Sequence, residues 1–103
     1  MTKKKTSAPS AAPKRARLAV SIDYPREGDP VRPGHYAVRL SVSAPSVVQV
    51  RFDGGDWLDC REAVGFRWRD WEPRPGKSLI EARARRGTGR WAAAPARAVV
   101  VAR

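Results

Sequence analysis

Few side chains in this sequence could do chemistry. His35 is the single histidine among 103 residues, so there is no second imidazole for a proton relay and no histidine-rich metal cage. It follows Gly34 at the mouth of a predicted strand and reads as a turn or surface residue. Asp53 and Asp56 bracket Gly54 and Gly55. The glycines bring no side-chain oxygen and no calcium-loop spacing accompanies them, so the two carboxylates read as turn acids. Cys60, the only cysteine, sits between Asp59 and Arg61. An intrachain disulfide is excluded, and with no paired imidazole the thiol reads as a small core or strand-edge residue, not a nucleophile.

Two further patterns fail on spacing. Asp70 and Glu72 would share one face of a strand, with no sugar-sized cleft to make them a glycosidase pair. Gly87-Thr88-Gly89 and the Gly76-Lys77-Ser78 ending lack the Walker arrangement before a helix, which removes support for nucleotide hydrolysis. No catalytic residue, metal ligand or cofactor is assigned.

Binding chemistry has more material. The net charge is +11, divided almost evenly between residues 1–17 and the remainder. Residues 1–17 hold Lys3, Lys4, Lys5, Lys14, Arg15 and Arg17, no acid and no aromatic, spaced by Ala, Ser and Pro. That is the composition of a flexible basic arm. In the body, Arg67 with Arg69 and Arg83 with Arg85 each project from one face of a predicted strand. The four guanidiniums form a single anion-binding surface if those strands are neighbours, and two solvated faces if they lie in opposite sheets. Trp57, Trp71 and Trp91 supply rings that could stack on a base or sugar, or sit at an interface, whereas Trp68 reads as core.

These groups must be positioned by strands. Alternation of period two runs through 18–22, 36–42, 47–52, 65–71, 78–85 and 98–102. The segments between them are rich in Pro and Gly, as in 24–34, 73–76 and 86–90. In 47–58 two strands meet at a turn over Asp53–Asp56; a three-residue Asp53-Gly54-Gly55 loop is preferred to a Gly54-Gly55 turn, because the latter would oppose two carboxylates. Phe66 and Trp68 are expected on one face of their strand and Arg67, Arg69 and Trp71 on the other. Ala82 and Ala84 leave room for a large ring from a facing sheet, such as Trp68 or Phe52. The expectation is an all-β, antiparallel immunoglobulin-like sandwich of six or seven strands over residues 18–103, preceded by the arm of 1–17; a small barrel is the alternative.

Val48-Gln-Val-Arg-Phe-Asp-Gly-Gly-Asp-Trp57, Trp68-Arg-Asp-Trp71, Pro75-Gly76, Ile80-Glu-Ala-Arg-Ala84 and Gly89 together resemble the early-set immunoglobulin-like domains. They are similar in particular to the carboxy-terminal accessory domain of sulfite-oxidase-type molybdenum enzymes and to related bacterial modules. The resemblance spans most of residues 34–91. It implies that the Asp-Gly-Gly turn and the tryptophans are structural. It implies no molybdenum site, since in that family the accessory domain packs on a cofactor domain or mediates dimerisation.

The functional expectation is a non-enzymatic, polyanion-associating module, with DNA or RNA held through phosphate contacts by the ten basic residues named above. Protein interaction, with an acidic protein or a second copy, is the alternative; carbohydrate binding and an anionic membrane surface follow. No stretch approaches 18 apolar residues and no signal-peptide core is present, so the expected location is cytoplasmic, with no transmembrane segment.

Overall fold

The computed structural model describes residues 18–103; the proposed arm of 1–17, with its six basic side chains, lies outside the described residues. Nine strand segments follow: β1 Val20–Tyr24, β2 Tyr36–Val42, β3 Val47–Phe52, β4 Leu58–Asp59, β5 Arg61–Ala63, β6 Phe66–Trp71, β7 Gly76–Arg85, β8 Ala92–Ala93 and β9 Arg97–Val101. Six or seven were expected; β4 begins at the end of the hairpin read in 47–58, whereas β5 and β8 are too short to show a period in sequence.

The segments form two antiparallel sheets, β1-β2-β6-β5 and β4-β3-β7, with β8 and β9 sharing the far edge of β7. That sharing follows from the length of β7: its first half, Gly76 to Ile80, pairs with β9, and Arg83 and Ala84 pair with β8. Pro95, which has no backbone donor, lies where the chain leaves β8 for β9.

Alternation places the core as expected along β2, β3 and β7. Val38, Leu40, Val48, Val50, Ile80, Ala82 and Ala84 are buried, joined by Val20, Ile22, Val31, Val99 and Val101. Trp71 of β6, only 8% exposed, stacks on Phe52 of β3 at 4.8 Å with the rings 8° apart, which ties one sheet to the other. Each such ring pair adds about 0.5–1.5 kcal/mol to the burial of its area.

The structure corrects the reading of β6. Its register sets Arg39 against Trp68 and Leu40 against Arg67, so Trp68 shares the outward parity of Arg39 while Arg67, Arg69 and Trp71 share the inward parity of Leu40 and Val38. The two arginines find backbone acceptors at the margin between the layers: Arg67 Nη1 donates to Ser46 O at 2.7 Å and Arg69 Nη1 to Asp59 O at 3.2 Å, although Arg69 Nε lies out of solvent with no hydrogen-bond acceptor among the described residues. Trp68 instead donates its indole N–H to Ala63 O at 2.9 Å.

The turn after β3 is also different from expectation. Gly55 N donates to Phe52 O at 3.0 Å, and the residues at positive φ are Asp53 (55°) and Gly54 (73°). This is a two-residue Asp-Gly turn, one residue shorter than the preferred loop and one position earlier than the Gly54-Gly55 turn, and pairing with β4 resumes only at Val50–Leu58. Asp53 gains a role from the shift. Its amide donates to Leu79 O and its Oδ1 accepts from Leu79 N, both at 2.8 Å, adding a rung to the β3–β7 ladder.

Two further features bear on the surface. The β5–β6 hairpin turns through Val64 (φ 50°) and Gly65 (φ 81°), and Val64 is 86% exposed. Beside β9, Val31 makes a parallel bridge to Val101 and its carbonyl accepts from Ala102 N at 2.8 Å.

Candidate functional site

On the outer face of the β4-β3-β7-β8 sheet, register brings together residues that are far apart in sequence. Gln49 lies opposite Arg83, Arg51 opposite Glu81 and Val47 opposite Arg85. Since Val48, Val50, Ala82 and Ala84 point into the core, the alternate positions Gln49, Arg51, Arg83 and Arg85 must face out. Trp57, just before β4, and Trp91, just before β8, flank them.

The result is a chain of guanidinium–ring contacts. The Arg51 guanidinium carbon lies 4.6 Å from the Trp57 ring centre and that of Arg83 lies 4.1 Å from it. Arg83 is also 3.9 Å from Trp91, whose other neighbour, Arg85, is at 4.4 Å. Each contact contributes about 0.5–1 kcal/mol at a surface. More important for binding, the rings hold long, otherwise mobile side chains in place, so less rotamer entropy remains to be lost on contact.

Hydrogen bonds complete the arrangement and divide its charge unevenly. Arg51 Nε donates to Glu81 Oε1 at 2.8 Å, a half-exposed ion pair. Arg83 donates through Nε and Nη2 to the Gln49 carbonyl at 3.0 and 2.8 Å, and the Gln49 amide in turn donates to Asp59 Oδ1 at 2.9 Å. A neutral amide thus orients Arg83 without cancelling it. Desolvation, with the like charges of Arg85 and Arg51, holds the Arg83 pKa below its ordinary value, although a guanidinium stays protonated at neutral pH. Arg85 has no carboxylate partner among the described residues, and its Nε lies out of solvent with no hydrogen-bond acceptor.

The arginines named from sequence therefore separate. Arg83 and Arg85 occupy this face, whereas Arg67 and Arg69 are in the other sheet and donate to backbone carbonyls between the layers, so the four do not form one patch. Trp71 is a core residue and is not an exposed stacking platform. Trp57 and Trp91 lie at the surface but already carry guanidiniums, which also removes the coplanar bare rings that a sugar platform needs. Sequence reasoning missed Gln49, Arg51 and Glu81; the signal was their parity with Arg83 and Arg85, which becomes visible only once β3 is paired with β7.

The opposite outer face has a second stack. Arg39 lies 4.6 Å from the Tyr24 ring and 4.0 Å from that of Phe66, and Phe66 meets Trp68 edge-on at 6.3 Å. Here the charge is matched: Arg39 Nε donates to Asp23 Oδ2 at 3.3 Å, and the Ser41 hydroxyl donates to the same oxygen.

Nucleophile and metal chemistry find no better footing. Burial pushes the Cys60 thiol up to about 12, against the weaker downward pull of Arg69 and Arg67, which makes it less reactive, not more. His35 Nε2 lies 3.2 Å from Asp70 Oδ1 on open surface. Among the described residues no group of three or more His, Cys, Asp or Glu is placed to hold a metal ion, and no helix is long and apolar enough to cross a membrane.

No protein-family model matches the chain, and curated proteins yield no match either. Solved structures do. The fibronectin(III)-like modules of Clostridium thermocellum CbhA superpose with a TM-score of 0.67 at 18% identity, over 82% of this chain and 96% of theirs. An engineered protein superposes with a TM-score of 0.68 at 24% identity over 84% of this chain, which spans 20% of that longer protein. At these identities the likeness is one of fold. The chain is an all-β protein of two antiparallel sheets resembling an immunoglobulin-like or fibronectin(III) sandwich. The relationship is to that broad class and not specifically to the sulfite-oxidase accessory domain.

Proposed function

We propose that this chain is a non-enzymatic sandwich module that associates with a polyanion, nucleic acid foremost, through phosphate contacts. The observation that carries the proposal is the state of Arg83 and Arg85: two guanidiniums held in place by Trp91 and, for Arg83, by Trp57 and Gln49, with no carboxylate to neutralise either. Planar forks fixed on a sheet surface suit phosphate oxygens. Because the rings are already covered, the contact is to backbone phosphate and reads no base. Lys3, Lys4, Lys5, Lys14, Arg15 and Arg17 add a salt-sensitive tether in this scheme, and Arg67 and Arg69 contribute mainly to the long-range field.

The test is the salt dependence of binding to a short DNA duplex. Affinity falls steeply with salt as condensed counterions are released, and Arg83→Gln with Arg85→Gln makes the logarithmic slope shallower by roughly two, at about 0.9 per phosphate contact. No binding at low ionic strength, or a slope unmoved by the double substitution, rejects the proposal.

A second reading, as a protein-interaction module, draws on the other end of the same sheet. Leu79 and Val100 are exposed there, and an open cleft of about 460 Å³ lies against Gly28, Pro30, Ala98 and Val100. Sedimentation of a single monomeric species across micromolar concentrations counts against self-association at that corner.

A further inference from the structure

The charges of the sandwich are sorted along its length. Ala19 N donates to Ser43 Oγ and Ser43 N to Ala19 O, both at 2.9 Å, so the chain enters the fold beside the β2–β3 turn. Val47, which leaves that turn, is paired with Arg85, and Arg67 donates to Ser46 in the same turn. Beyond Arg85 the chain reverses through Arg86-Gly87-Thr88-Gly89, closed by Gly89 N donating to Arg86 O at 2.7 Å, which leaves Arg86 and Arg90 exposed on either side of the reversal. The first described residues and the β7–β8 reversal thus share one end of the molecule. Among the described residues the carboxylate at this end is Glu62, paired in register with Arg67.

The opposite end is close to charge balance, because Arg26, Arg32, Arg74 and Lys77 share its connections and flanks with the carboxylates. Glu27, Asp29, Asp53, Asp56, Asp70 and Glu72 belong to the β1–β2, β3–β4 and β6–β7 connections or their flanks. They therefore lie where Gly34 meets Pro73 and Asp53 meets Leu79. Asp29 is held ionised there: the Arg26 amide donates to its Oδ2 at 2.8 Å, the main cause of its lowered pKa.

We infer that the polyanion is met end-on, at the end carrying Arg85, Arg86 and Arg90, while the carboxylate-bearing end points away. The inference rests on the polyanion reading above and adds Arg86 and Arg90 as contact residues. The physical reason is that phosphate is attracted to the end with uncompensated basic charge and gains little at the balanced one, so orientation is selected before any close contact forms. Contact centred lower on the same face would bring Glu81 toward the phosphates; contact at the end, where Arg85 joins Arg86 and Arg90, does not.

Two double variants of the full chain separate place from amount of charge. Arg86→Gln with Arg90→Gln, and Arg32→Gln with Arg74→Gln, each remove two exposed charges and leave the same net charge, but at opposite ends. With a 20-base-pair DNA duplex as probe, the first pair makes the slope of log affinity against log salt shallower by roughly 1.8, at about 0.9 per phosphate, and the second leaves it unchanged. Equal effects from both pairs, or none from the first, overturn end-on contact while the polyanion reading stands. Failure of the unaltered chain to bind the duplex at low salt removes both.

Discussion

Arg39 on one outer face and Arg83 on the other each lie against two aromatic rings, yet only one of them keeps its charge on display. Arg39 is answered by Asp23, whose carboxylate also takes the Ser41 hydroxyl; the stack there serves to close an open sheet face. Arg83 is answered by the carbonyl of Gln49, which satisfies donors without adding negative charge. The same contact type therefore comes with a matched charge on one side and an unmatched one on the other. What distinguishes them is a single cross-strand neighbour: carboxylate in one case, amide in the other.

Cys60 reports on the interior between the two faces, because it lies where the chain passes from β4 in one sheet to β5 in the other. Burial lifts its pKa from 9.0 to about 12, so alkylation at pH 8 should run roughly a thousandfold slower in the native protein than in urea, following the thiolate fraction. The linkage has a definite sign: this stabilisation is complete below pH 9 and is lost as pH rises toward 12. Rapid native labelling would mean that the layers part. Next in size, Arg39→Ala should lower the unfolding free energy by about 2 kcal/mol, since it strands a half-buried carboxylate and uncovers two rings. Arg83→Ala should cost about 1 kcal/mol in urea unfolding, because only a neutral amide is left behind. Equal costs would erase the distinction between the faces. The smallest effect has the opposite direction. Val64, a β-branched residue at φ 50° in the β5–β6 turn, sits where Asn-Gly is favoured, so Val64→Asn should raise the melting temperature, by about 0.5–1 kcal/mol in stability.

Most of the framework was legible in sequence because β2, β3 and β7 keep strict alternation between aliphatic and polar residues. The parity of β6 was not, since Phe66 and Trp68 are the more apolar set and nothing local says that Arg39 lies beneath them. Long arginine side chains made the opposite choice workable by carrying their charge to the sandwich margin, while Trp71 supplied the buried ring. The site was half legible. Arg83 and Arg85 stood out by spacing, but the partners that set their state come from strands paired across more than thirty residues, as with Gln49 and Arg83. Single-chain periodicity carries no information about such register.

The bridge between Val31 and Val101 has a consequence for how the chain keeps to itself. β9 is an Ala-Val-Val-Val segment at the margin of a sheet, with Val100 64% exposed, and such a row of unpaired amides is a template for fibril-like stacking between molecules. Val31 covers the last rung of that margin, at Val101 and Ala102, and Pro30 before it has no amide with which to extend the ladder. The Pro-rich connection between β1 and β2 thereby stops the last rung of β9 from being extended by another molecule, in a loop remote from Arg83 and Arg85 in the fold.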